Sequence, residues 1–221
     1  MLSSLFGGTC FLCRGAAPGV ICAQCDADLP RLPAELCPRC ALPSPRGETC
    51  GRCLTHAPSY DATVAALVYA FPADALVHAF KFRGELAIAD VLTEALLART
   101  APAAELILPV PLSAARLRSR GYNQALELGR KLSRETRVPL DFTLCQRQKD
   151  SPAQSDLPLA ERARNVRGVF RCTGDVRGKT IAVVDDVMTT GATLHEIAAT
   201  LKAAGAARVV NWVVARTLPP A

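Results

Sequence analysis

The stretch IAVVDDVMTTGAT, residues 181–193, joins an apolar run to two adjacent carboxylates, Asp185 and Asp186, and then to three threonines around one glycine. Thr189, Thr190, Gly191, Ala192 and Thr193 present little side chain. A strand-to-helix turn of this composition offers backbone N–H groups at a helix N-terminus, where free donors and the helix dipole together favour a phosphate. Gly191 lets the backbone approach a ligand, and the threonine hydroxyls add donors. Asp185 and Asp186 share the sign of a phosphate and therefore address another part of the ligand, either sugar hydroxyls or a Mg2+ ion that it carries. A molecule with a sugar diol close to a monophosphate fits both halves. The run is neither G-x-x-x-x-G-K-[ST] nor G-x-G-x-x-G, which excludes a P-loop and a dinucleotide fingerprint. Two other readings compete at this level: a Walker-B-like Mg2+ site, and a turn in which Asp186 and one threonine are only caps. Caps alone leave most of the run unexplained.

A second chemistry lies in the cysteines, of which there are ten. Eight form four C-x-x-C pairs: Cys10 with Cys13, Cys22 with Cys25, Cys37 with Cys40 and Cys50 with Cys53. Such a pair directs both thiolates at one ion from a tight turn, and two knuckles complete a tetrahedral site. Four knuckles predict two structural zinc ions. The short gaps favour sequential pairing, the first two knuckles on one ion and the last two on the other, although an interleaved arrangement fits the same spacing. Closed all-thiolate sites leave no open position for catalysis, and a thioredoxin-like redox role lacks the β-α pattern it needs around each pair. His56 is a donor that eight cysteines leave unneeded. Cys145 and Cys172 read as small core residues rather than nucleophiles.

These groups need a scaffold. The chain has 221 residues, half of them apolar, enough for one main domain and one small module. Residues 1–57 hold every knuckle and six prolines, and bury too little without metal to fold alone. Residues 58–221 make the main domain. ATVAALVYAF reads as a strand ended by Pro72, and the next apolar residues recur at helical spacing, split into two helices at Gly84. ELILPVPLS is a short buried strand, GYNQALELGRKLSRETR an amphipathic helix and VPLDFTLCQR a second strand, which is a β-α-β unit of a parallel sheet. Residues 148–169 break the pattern with two prolines and charges of both signs; an insert of this kind is disordered or a functional lid. TIAVVDD resumes the sheet, a helix over about 192–204 stops at Gly205, and RVVNWVVAR closes it with Trp212 in the core. His195 falls on the exposed or subunit-facing side of that helix. The fold class is α/β, a parallel sheet flanked by helices. Ligands of such sheets bind at the carboxyl ends of the strands, so Ser113, the insert and the acid-threonine run should converge.

The formal net charge is +6, and residues 113–171 hold thirteen Lys/Arg against six Asp/Glu. A basic region of this kind implies a polyanionic partner, a phosphorylated small molecule or a nucleic acid, or else a solvated basic helix face. The start MLSSLFGG lacks the basic n-region of a signal peptide, and no apolar run is longer than a strand. Cytoplasmic location without membrane insertion is the expectation.

VVDDVMTTGAT closely resembles the phosphoribosyl-diphosphate (PRPP) binding loop of type I phosphoribosyltransferases. Beyond it, LVHAFKFRGE, LPVPLSAARLRSRGYNQALELGRKL, QSDLPLAERARNVRGVF and the cysteine knuckles resemble the ComF family of competence-associated phosphoribosyltransferase-like proteins over essentially the whole chain. The resemblance implies that Asp185 and Asp186 hold the ribose 2' and 3' hydroxyls as the catalytic acids, and that residues 189–193 hold the 5'-phosphate. It implies a pyrophosphate loop at Pro111, Leu112 and Ser113, followed by Arg116 and Arg120 and then by Gly121, Asn123 and Gln124. It places Arg147, Lys149, Arg162 and Arg164 on a flexible lid over 148–169, and a hood over 60–84 with Tyr69, His78, Lys81 and Phe82. The implied reaction is displacement at the anomeric carbon of Mg2+-bound PRPP with pyrophosphate leaving. No residue names the acceptor. The second implied class is a PRPP-binding protein without turnover that handles single-stranded DNA or a competence partner. With three arginines and no lysine before Arg46, the ribbons are a poor DNA surface, and the basic cleft is the better one. A homodimer is a family expectation.

Overall fold

The computed structural model describes residues 8–99, 103–148 and 168–219. The chain begins with a small ribbon, β1 (Gly8–Thr9) antiparallel to β2 (Ala16–Ala17), then α1 (Ala23–Ala27), and, after a second knuckle-bearing segment, α2 (Gly51–Thr55). The main domain follows as β3 (Ala62–Val68), α3 (Ala73–Phe82), α4 (Ile88–Leu97), β4 (Leu106–Pro109), α5 (Ala114–Arg120) and α6 (Gln124–Thr136). It ends with β5 (Cys145–Arg147), β6 (Phe170–Cys172), β7 (Thr180–Met188), α7 (Ala192–Ala203) and β8 (Arg208–Arg216).

Four strands form one parallel sheet in the order β3-β8-β7-β4. Side chains of β7 alternate between its faces: Ile181 and Val183 enter one core, Ala182 and Val184 the other. Such a doubly covered strand reads as a continuous apolar run, as β7 and β8 do. Helices α3, α4 and α6 cover one face with Trp212 beneath them; α7, the second ribbon and Tyr60 cover the other. Pro109 is tolerated because β4 is an edge strand. The opposite edge, β3, is closed by the segment that joins the two ribbons: Leu32 N donates to Ala66 O at 3.0 Å and Val68 N to Pro30 O at 2.7 Å. Covering an edge removes a template for unwanted strand pairing.

Turn chemistry sets several boundaries, of which the break at Gly84 is the expected one. Gly84 adopts φ +70° between α3 and α4, and Gly121 adopts φ +77° at the end of α5, conformations glycine enters without steric cost. The Asn123 side chain accepts from Ala125 N and Leu126 N to cap α6. One expected element is corrected. VPLDFTLCQR is not a strand of the central sheet: only Leu140 bridges to Ile107, and Cys145–Arg147 pairs antiparallel with β6 instead. The reason is local, because Asp141 Oδ1 accepts from Thr143 N at 2.8 Å and Leu144 N at 3.1 Å, an aspartate turn that takes the chain out of the sheet. Lys149, Arg162 and Arg164, expected on the lid, lie outside the described residues.

Candidate functional site

Strands β4 and β7 end side by side, with Pro109 opposite Val184, so the segments leaving their carboxyl ends meet. A cavity of about 570 Å³ opens there. Asp185, Asp186, Thr189, Thr190, Gly191, Ala192 and Thr193 line it from β7 and the turn that follows; Pro111, Leu112, Arg116 and Arg120 line it from the exit of β4. Tyr69, Lys81 and Phe82 face it from the segment before α4, and Arg147 from β5.

The two acids end up in different surroundings. Asp186 is 5% exposed, and its Oδ1 is 2.9 Å from Lys81 Nζ and accepts from Val187 N at 2.7 Å. Asp185 accepts from Asp186 N at 2.9 Å. Burial, and after it the charge of Asp186, push the Asp185 carboxyl up to about 7. A cation or a pair of hydroxyl donors reaching this site would relieve both effects.

At the other end of the acid-threonine run, Gly191 begins α7 with φ +81°. A Cβ there would sit 2.6 Å from Met188 Cε and 2.9 Å from Tyr60 Oη, so any side chain would be strained and would have to displace both neighbours. Among the described residues the N–H groups of Thr189, Thr190 and Gly191 have no protein acceptor, while Ala192 N is held by Thr190 Oγ1 at 3.3 Å. Three free amides beside threonine hydroxyls at the start of a twelve-residue helix make an anion cradle.

Basic groups face the cradle from β4's side. Arg116 is half-buried, and burial, then the neighbouring Arg120, lower its pKa while Asp185 opposes them. The Arg120 guanidinium lies 4.9 Å from the centre of the Phe82 ring and donates to Gln124 Oε1 at 3.1 Å. Gln124, 2% exposed, donates in turn to Lys81 O at 3.4 Å. This chain joins the arginine side of the cavity to the lysine that meets Asp186. Ser113 does not line the cavity: its Oγ accepts from Arg116 N at 3.3 Å and caps α5. Asn123 spans β4's exit, with Nδ2 donating to Val110 O at 3.0 Å. Arg147 lies over Phe170, 5.6 Å from the ring centre. His78 is exposed and stacks on Phe82 at 4.9 Å, outside the lining.

Away from the cavity the cysteines gather as Cys10, Cys13, Cys22 and Cys25, and as Cys37, Cys40, Cys50 and Cys53, the sulfurs of each set within 4.8 Å of one another. Pairing is therefore sequential. Amides of Cys13 and Cys22 draw the Cys10 thiol down to about 6. Against burial, which raises it, the amides of Cys50, Cys40 and Arg39 bring Cys37 down to about 7. N–H groups aimed at sulfur favour thiolates, the form that ligates metal. The donor sets fit four-thiolate structural zinc.

Residues 87–217 match the phosphoribosyl transferase domain family, and residues 1–54 match the double zinc ribbon domain. The DNA utilization protein YhgH of Escherichia coli (strain K12) is 36% identical over 223 residues, covering 96% of this chain and 98% of that protein. Competence protein F of Haemophilus influenzae is 33% identical over 156 residues, covering 66% of this chain and 68% of that protein. Competence protein ComFC of Bacillus subtilis is 31% identical over 136 residues, covering 60% and 54%. This chain belongs to the ComF family. Its fold is the type I phosphoribosyltransferase fold with an N-terminal double zinc ribbon.

The ComF-family structure adds residues behind the cavity wall that the motifs do not name. Tyr60 seats Gly191, and two arginines, Arg52 of α2 and Arg216 of β8, reach the cradle from behind. Arg216 leaves a trace in the sequence, a charge that ends the apolar stretch Trp212–Ala215 at the ligand end of the sheet. Arg52 leaves none. His195, expected on the exposed or subunit-facing side, is exposed and accepts from Ser59 N at 2.9 Å through Nδ1. Among the described residues no helix is long and apolar enough to cross a membrane.

Proposed function

We propose that this ComF-family protein binds Mg2+-bound PRPP in the cavity at the ends of β4 and β7 and works as a phosphoribosyltransferase-like protein in DNA uptake. One observation carries the reading: two adjacent acids, a cradle of three free amides and the arginines Arg116 and Arg120 line one cavity. Asp185 and Asp186 suit the ribose diol, residues 189–193 the 5'-phosphate, and Arg116 and Arg120, on the exit of β4, the pyrophosphate. The residues present fit Mg2+, because the two acids supply oxygen donors and the pyrophosphate the rest. Bound there, the ion supplies charge neutralisation to the departing pyrophosphate. The chain's own part is to hold the anomeric carbon between its groups, to set Arg116 and Arg120 against developing negative charge and to exclude water through the wall that Phe82 and Tyr69 provide. The link to DNA uptake comes from the names of the relatives, competence proteins and a DNA utilization protein.

Calorimetric titration with Mg2+-bound PRPP tests the binding. The wild type should bind, and Asp185→Asn with Asp186→Asn should abolish binding while the protein still unfolds cooperatively. Unchanged affinity in the folded double variant would falsify the assignment. A pyrophosphate-release screen against nucleobases, ammonia and single-stranded DNA then separates a transferase from a binding module. The second class, PRPP binding without turnover coupled to single-stranded DNA or a competence partner, is favoured by one feature: among the described residues no side chain lining the cavity is a carboxylate or imidazole other than Asp185 and Asp186. DNA affinity that falls steeply with salt on a log-log plot supports it, and no binding at low salt removes it.

A further inference from the structure

Arg216 ends β8 and is 1% exposed. Its guanidinium is shared between two modules: Nε donates to Cys40 O of the second ribbon at 2.9 Å, and Nη1 donates to Met188 O at 2.9 Å, to Thr217 O at 2.8 Å and to Thr189 O. Arg52, which sits on α2 between Cys50 and Cys53, donates from Nη2 to Thr190 O at 3.1 Å. Three successive carbonyls of the loop, at residues 188, 189 and 190, are therefore held by arginines that belong to the second ribbon or grip it, and Met188 O also accepts from Thr217 N at 3.1 Å.

That arrangement decides where the amides point. A trans peptide is planar with its C=O and N–H on opposite sides, and the described cis bond lies elsewhere, at Phe71-Pro72. Each carbonyl drawn back to the ribbon turns the next N–H the other way. The amides so turned belong to Thr189, Thr190 and Gly191, the three that have no protein acceptor among the described residues and that line the cavity.

We propose that the second zinc ribbon is the back wall of the anion cradle. Arg216 and Arg52 hold the loop carbonyls so that the following amides face the ligand, and metal loss at Cys37, Cys40, Cys50 and Cys53 loosens the cradle. Both arginines are positioning residues. They also offset the net negative charge of a four-thiolate zinc site, so the metal helps to hold them where the carbonyls need them. Cys40 supplies both a thiolate and the carbonyl that Arg216 grips, and Arg52 stands on the helix between two other ligands. Losing the ion removes the ribbon's folding energy and with it both anchors. The first ribbon is a built-in control, because its Phe11, Leu12, Val20 and Ile21 pack against the core on the opposite face of the sheet.

The inference rests on the proposed phosphate site for its ligand, but the coupling can be read without one. Full-length protein is compared as wild type, Arg52→Ala, Cys50→Ser with Cys53→Ser, and Cys22→Ser with Cys25→Ser, by zinc content, by the amide NMR signals of residues 188–194 and by calorimetry with Mg2+-bound PRPP. Arg52 is exposed, so its variant folds even where the loss of a zinc site does not allow it. Arg52→Ala and loss of the second site should shift or broaden the signals of Thr189, Thr190 and Gly191 and weaken binding by about tenfold or more, the size expected of a lost charged hydrogen bond. The loss should persist at about 0.5 M salt, where a long-range charge effect is screened. Loss of the first site should leave those signals in place. Unmoved loop signals in Arg52→Ala, or equal perturbation from loss of the first site, overturn the inference. A wild type that fails to bind PRPP sinks the proposed function instead, and the NMR comparison still decides the coupling.

Discussion

Lys81 Nζ stands 2.9 Å from Asp186 Oδ1, with the lysine side chain 20% exposed and the aspartate 7%. The pair joins the end of α3 to the end of β7 and places a fixed cation in the acid half of the cavity. Asp186 thus has a direct ion-pair partner, while the positive charge of Lys81 reaches Asp185 only as a smaller effect than burial and the neighbouring Asp186.

Removing the cation should be costly. In Lys81→Ala a buried carboxylate loses its partner next to a second acid, a change worth on the order of 2 kcal/mol once the partial exposure of the lysine is allowed for. Urea denaturation without divalent ions checks it, and added Mg2+ should restore part of the loss. A change below about 0.5 kcal/mol, the scale of ordinary surface substitutions, would show that the pair contributes little.

Asp185 predicts a pH dependence. Its carboxyl moves from an ordinary 3.8 to about 7 on folding, through burial and then Asp186. The folded protein holds this proton more tightly than the unfolded chain, so the group's contribution to stability declines as pH rises from 3.8 toward about 7 and is level above that. Asp185→Asn removes the liability. In the absence of Mg2+ and ligand, its melting temperature should exceed the wild type's by several degrees at about pH 8 and by less at about pH 5.5. A gain that grows toward acid pH has the wrong sign and refutes the argument.

Gly191→Ala should damage the cradle and the fold together. The φ of +81° and the approach of Met188 Cε and Tyr60 Oη make the cost about 1 to 3 kcal/mol. Thermal unfolding reads the stability, and calorimetry with Mg2+-bound PRPP should show weaker binding in the fraction that stays folded. Wild-type values in both assays would mean that the turn adapts freely.

Metal analysis of the full chain should return two zinc ions, one for each four-cysteine set. A strong chelator should strip both and unfold the ribbon segment, because residues 1–57 bury too little without metal. One ion per chain, or a ribbon that keeps its fold after complete removal, contradicts the zinc reading.

How much of this could be read from the sequence depends on distance along the chain. The knuckles and the acid-threonine run are local devices: two thiolates three positions apart, or a glycine between hydroxyls, have their geometry set within a few residues. The strands TIAVVDD and RVVNWVVAR are equally legible, because burial on both faces leaves long apolar runs, broken in the second only by Asn211. VPLDFTLCQR is not legible in the same way, because an apolar pattern does not show that Asp141 takes the amides of Thr143 and Leu144.

The sequence by itself determined the four cysteine knuckles, though not their pairing, the parallel α/β sheet and the charge and donor types of the ligand site. Only the tertiary structure decided which cation meets which acid, that Ser113 is a cap, and that Arg52 and Arg216 stand behind the cradle. The physical reason is strand order: β8 lies between β3 and β7, which brings Arg216 to Cys40, 176 positions away, and to Met188. A buried guanidinium can satisfy carbonyls wherever the fold assembles them, so its partners are written in the packing and not in any short stretch of chain.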